Sequence, residues 1–140
     1  MIRKSLPLLA LAVLALGLTG YAHAQASPEA PEAERQTAAL EILKTTPDAI
    51  LVYAEGLCCQ SCGIGVRKKV GALDFVDVAR FNKGVELHPR TQLATVAIKK
   101  GKRAKGSALA NAVDAAGYDP VNLYEWRSGK LVVTSIALGK

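Results

Sequence analysis

An α+β sandwich, running β-α-β-β-α-β with one further strand at the C-terminus, is the fold this sequence predicts. Three observations predict it. Short apolar runs of strand length recur at 49–54, 85–87, 93–98, 121–126 and 131–138. Two stretches with helical spacing of apolar residues, 62–73 and 107–116, fall between the first and second runs and between the third and fourth. Turn formers (Gly56, His88-Pro89, Gly117, Ser128-Gly129) stand at the junctions.

The N-terminal residues stand apart from that pattern. Arg3 and Lys4 give a basic start, residues 6–18 are an apolar run, and Ala22, His23 and Ala24 offer the small residues of a peptidase site. The run is shorter than the ~20 apolar residues that usually span a bilayer. Residues 1–24 therefore read as a cleaved export signal, with an uncleaved anchor as the alternative. Residues 25–48 hold five acids against two bases and are rich in Ala, Glu, Pro and Thr. A helix over 34–44, with Ala39, Leu40 and Leu43 on one side, would be marginal in isolation, so this stretch is expected to be a flexible acidic linker. The domain proper is expected from 49 to 140, where fourteen Lys and Arg face seven Asp and Glu. That balance concerns encounter with anionic surfaces, not fold. Few aromatics and no recognisable binding motif speak against nucleic acid.

Within the domain, Ile50, Val52 and Ala54 alternate with Leu51 and Tyr53, a strand apolar on both faces. In the first helix Val66, Val70 and Leu73 make the buried stripe, with Arg67 and Lys68 toward solvent. Residues 74–84 are ambiguous between an extended loop and an added helical turn. The basic run 99–105 is expected as a solvated loop. Ser107 is a candidate N-cap for the second helix, with Leu109, Ala112, Val113 and Ala116 as its stripe and Gly117 at its end. Ser128-Gly129 fits a two-residue hairpin turn. This order is that of the ferredoxin-like sandwich. The last strand is expected to pair on the edge of the fourth and extend the sheet to five strands in a monomer; pairing with a second molecule is the alternative.

The chemistry concentrates between the first strand and the first helix. The chain's three cysteines, Cys58, Cys59 and Cys62, are bunched within five residues there, unlike the even, dispersed count of a disulfide scaffold. A Cys-x-x-Cys pair spans one helical turn, so Cys59 and Cys62 can converge on one ion. The helix N-terminus has free N–H groups and partial positive charge, which favour thiolate. Two convergent thiolates suit soft metals such as Cu(I), and Hg(II) by the same logic. Cys58, adjacent to Cys59 in an extended loop, is expected to turn inward as a small apolar filler, with a role as third ligand as the alternative.

Gly56, Cys59 and Cys62 match the Gly-Met-x-Cys-x-x-Cys motif of the heavy-metal-associated domain family, with Leu57 where Met is usual. The stretch 66–70 resembles that family's first helix, and Ala116-Gly117-Tyr118 its Ala-Gly-Tyr before the last strand. The chain therefore resembles that family over 49–126. The family includes periplasmic mercuric-ion binding proteins, copper chaperones and modules of metal-pumping ATPases. The resemblance implies a periplasmic carrier, not an enzyme, that passes Cu(I) or Hg(II) to a metal-transporting membrane protein or another dithiol protein by ligand exchange. Two departures stand out: the third thiol, Cys58, and a long connection at 74–84. Tyr118 is expected at the cysteine end of the sandwich, where it could shield the site, and Ile64 near the metal loop, where it could help a partner dock. His88 is expected on a far edge and not as a ligand. Cys-x-x-Cys at a helix start also describes thiol–disulfide oxidoreductases, the alternative function, although no Trp precedes the pair here and the element order differs.

Overall fold

The computed structural model describes residues 29–138; the expected export signal lies outside them. The elements are α1 (Glu32–Thr45), β1 (Ala49–Glu55), α2 (Gly63–Val70), β2 (Val85–His88), β3 (Leu93–Ala97), α3 (Gly106–Asp114), β4 (Asp119–Arg127) and β5 (Lys130–Ser135). The five strands form one antiparallel sheet in the order β2-β3-β1-β4-β5. Over the described residues the protein is thus α+β, with three helices on a five-stranded sheet.

β1 sits at the centre, and its residues from Ala49 to Ala54 are all buried. One face of the sheet carries Ile50, Val52, Ala54, Val85, Leu87, Val96 and Leu123. These pack with Val66 and Val70 of α2 and with Leu109 and Val113 of α3. The other face carries Leu51, Tyr53, Leu93 and Tyr124, which pack with Ala39 and Leu43 of α1. The stretch expected to be a flexible linker therefore contributes a docked helix. Its buried stripe is Arg35, Ala39 and Leu43, spaced four residues apart. Glu32 and Glu34 in its first turn and Lys44 in its last suit the helix dipole. Tertiary burial supplies what an isolated fourteen-residue helix lacks.

Arg35 belongs in that stripe because every part of it is satisfied. Its guanidinium lies 3.7 Å from the centroid of the Tyr53 ring, donates to the Ala30 carbonyl at 2.7 Å, and donates from Nε to Glu32 at 3.2 Å. Tyr124 Oη in turn donates to Glu32 at 3.1 Å, tying α1 to β4.

At the other end of the chain, β5 pairs along the edge of β4 through the Ser128-Gly129 turn, as expected. Both turn residues have positive φ (50° and 75°), the geometry that matches strand twist in a two-residue hairpin. Three boundaries differ from expectation. α2 stops at Val70, short of Leu73. Ser107 lies inside α3 and is not its cap; Lys105 holds that position, with no side-chain cap. Residues 74–84 form a turn-rich loop that buries Phe75 and Val76, with Val76 bridging to Ile98.

Two outcomes follow from the α1 interface. Leu43→Ala should cost about 2–5 kcal/mol of unfolding free energy in urea titration, whereas an undocked linker would leave stability unchanged. Burial pushes the Glu32 carboxyl up, but hydrogen bonds from Gln36, Arg35 and Tyr124 and the Arg35 charge outweigh it, so its pKa is lowered in the fold. A carboxyl whose folded value lies below its unfolded one stabilises above the unfolded value, and that contribution is lost as pH falls through the folded one. Glu32→Gln should therefore flatten the acid limb of a stability–pH profile below the ordinary glutamate range and leave its shape around neutral pH unaltered.

Candidate metal centre

β1 ends at Glu55, and Gly56 turns the chain with φ 87°. A Cβ on Gly56 would stand 3.4 Å from the Tyr118 ring, so the glycine serves both the turn and the close approach of that ring. Leu57 is then driven into the core, 1% exposed. Residues 59–62 form a turn, with the Gly63 N–H donating to the Gln60 carbonyl and Ile64 N–H to Ser61, and it runs directly into α2.

This turn brings the three cysteines together. Their Sγ atoms all lie within 4.8 Å of one another, a group able to hold a metal ion. Among the described residues no histidine or carboxylate joins it. Cys59 and Cys62 are bonded as a disulfide with Cα atoms 5.3 Å apart, and Cys58 is a free, exposed thiol. The expectation that Cys58 turns inward is therefore corrected: Leu57 fills the core, and Cys58 faces outward beside the pair. Adjacent side chains diverge in an extended segment, but the tight turn removes that rule here. The Cys62 N–H donates to Cys59 Sγ at 3.2 Å, and Ser61 Oγ is 3.3 Å from the same sulfur. Both contacts, with the start of α2, favour negative charge on Cys59 once the pair is reduced.

Several side chains hold the loop in place. Tyr118, at the cysteine end as expected, donates from Oη to the Cys62 carbonyl at 3.0 Å. Gln92, in the β2–β3 turn, accepts the Gly56 N–H at 3.2 Å. Arg67 was expected in solvent but is half-buried; it donates to the Gln60 carbonyl and side chain, each at 3.4 Å, and to Val85 at 3.5 Å. The Gln60 side chain in turn donates to the Leu87 carbonyl at 3.4 Å. Position along the helix gave no sign of Arg67's role, because a long side chain reaches back toward the helix N-terminus.

Compared with protein-family models, curated proteins and solved structures, the chain matches none.

The remaining candidates lie elsewhere or play other parts. His88 is on the edge strand β2 and shares a 2.8 Å hydrogen bond with Thr95. Burial holds its pKa below the ordinary histidine value, with the Glu86 carboxylate pulling the other way. Ile64, in the first turn of α2, is 71% exposed. A cleft of about 850 Å³ lies at the opposite end of β1, lined by Pro47–Ile50, the basic 99–103 run and Glu125–Ser128. It contains none of the cysteines, so its size does not bear on their chemistry.

The two glycines at the start of α2 make a paired test of this packing. A Cβ on Gly63 would collide with Leu87 Cδ1 and stand 2.8 Å from Arg67 Nη1, whereas on Gly65 its nearest neighbour would be 3.6 Å away. Gly63→Ala should destabilise by about 1–3 kcal/mol, and Gly65→Ala should be neutral or stabilising by up to about 1 kcal/mol. Thermal unfolding of the two variants checks the contrast; equal effects would mean that α2 does not sit against β2 through Gly63.

Proposed function

We propose that this chain is a soft-metal carrier of the heavy-metal-associated type, on a ferredoxin-like scaffold, that holds Cu(I) or Hg(II) between Cys59 and Cys62 outside the cytoplasm. The observation that carries this reading is the convergence of the cysteine sulfurs on the strand-to-helix turn, with a backbone N–H on Cys59 and no competing hard ligand among the described residues. Soft thiolates select soft ions, and two or three sulfurs at a rim leave the ion accessible. Transfer is then ligand exchange: a thiolate of a dithiol partner, such as a metal-transporting membrane protein, attacks the bound ion as one donor thiolate departs. No bond of a substrate is made or broken, so the protein is not proposed as an enzyme. The strand order, the place of Leu57 and the position of Tyr118 are each compatible with the resemblance.

A specific observation favours a second reading. Cys59 and Cys62 are paired as a disulfide at a helix start, the arrangement used for thiol–disulfide exchange. The two readings differ in what the reduced protein does. As a carrier it should hold Cu(I) against a strong chelator; as an oxidoreductase it should hold Cu(I) poorly and exchange rapidly with disulfide substrates.

Cys59→Ser and Cys62→Ser should each abolish tight Cu(I) binding in a chelator competition with anaerobically reduced protein, because one remaining partner of the pair cannot close the site. Cys58→Ser should weaken it much less. Weak Cu(I) binding by the reduced wild type, together with fast reduction of a disulfide substrate, would favour the oxidoreductase instead.

A further inference from the structure

Resting on the carrier reading, we propose that Cys58, Cys59 and Cys62 together form a three-thiolate site for trivalent thiophilic p-block ions of the arsenite type. Three observations combine here. All three sulfurs lie within 4.8 Å of one another, so Cys58 needs no refolding to join the pair. All three come from a single loop and helix start, so they reach an ion from one side, and the exposure of Cys58 opens the group to solvent. A pyramidal ion with a lone pair takes its ligands in that manner, whereas a tetrahedral ion needs a fourth donor, and no histidine or carboxylate of the described residues joins the group.

Charge points the same way. Three thiolates around a trivalent ion make a neutral centre, which avoids the cost of holding net charge in a half-buried turn. The same three thiolates around Cu(I) would leave two negative charges, so the monovalent ion is better served by the Cys59–Cys62 pair alone.

The chemistry balances without an oxidant. Reduction of the Cys59–Cys62 disulfide by a trialkylphosphine consumes one water: its hydrogens pass to the two sulfurs, and its oxygen leaves on the phosphine as the oxide. Arsenite, as its trihydroxide, then exchanges each hydroxyl for one sulfur. Three As–S bonds form, three As–O bonds break, and each thiol proton departs with a hydroxyl as water.

The test uses the reduced mature chain, arsenite alone as the probe, and native mass spectrometry alongside titration. The wild type should give a one-to-one adduct that retains no hydroxyl on arsenic. Cys58→Ser, an exposed substitution, should give an adduct that keeps one hydroxyl and binds about tenfold or more weakly, while losing less of its Cu(I) affinity than of its arsenite affinity. A wild-type adduct that keeps a hydroxyl overturns the inference, as does equal arsenite affinity in the two proteins. A wild type that holds Cu(I) but takes up no arsenite overturns it and leaves the carrier reading standing. A wild type that holds neither arsenite nor Cu(I) nor Hg(II) overturns both.

Discussion

The burial of β1 on both faces is the constraint from which the rest of the structure follows. Every residue from Ala49 to Ala54 is buried, so both surfaces of the sheet need an apolar cover. α2 and α3 cover one face and α1 the other. Because β1 is central, its neighbours β3 and β4 are placed at once, and β2 and β5 can only be added outside them. The cysteine turn inherits its position from the same strand. It begins where β1 leaves the sheet, and it meets the β2–β3 turn and the segment before β4 at one end of the sandwich.

That arrangement separates stability from chemistry. The buried side chains that hold the fold lie between sheet and helices, while the sulfurs sit at the rim, half-buried or exposed. The loop itself is fixed by polar contacts from outside it: Tyr118 on the Cys62 carbonyl, Gln92 on the Gly56 amide, Arg67 on Gln60. Most of these satisfy backbone groups that the turn leaves unpaired, which is the usual requirement for an irregular segment. None of the three spends a side-chain atom on a sulfur, so they leave Cys58 and, once the pair is reduced, Cys59 and Cys62 unengaged.

Much of this was legible in the sequence, and the parts that were not have physical reasons. The two-faced apolar run at β1 and the glycines at the turns were readable because strand period and positive φ are local properties. The same run implied a cover for each face, yet α1 was expected to be loose. Its stripe reads as Arg35, Ala39 and Leu43, and an arginine there hides the pattern until its stacking on Tyr53 and its bonds to Ala30 and Glu32 are seen. The Cys59–Cys62 pair was readable from its spacing. Cys58 faces outward against expectation because side chains alternate in an extended strand but not through a turn. Arg67 was misplaced because helical position locates a Cβ, not the end of a long side chain.

The proximity of three sulfurs has one more consequence, which ties metal binding to redox state. The Cys59–Cys62 disulfide and any ion held by those residues draw on the same two sulfurs, so oxidation and binding exclude each other at this turn. By linkage, an ion that binds only the dithiol form makes the disulfide harder to form, and an oxidising environment weakens apparent metal affinity by the fraction of protein oxidised. Cys58 alters that competition. It is a free thiol beside the pair in the oxidised state, and after reduction it would offer an ion a third donor that the disulfide never occupied. An ion that engages all three sulfurs gains a contact that a two-sulfur ion lacks and so shifts the redox balance further for the same free concentration. On the carrier reading proposed above, selectivity would be set by how many thiolates an ion can use, and the fold places three sulfurs within 4.8 Å of one another.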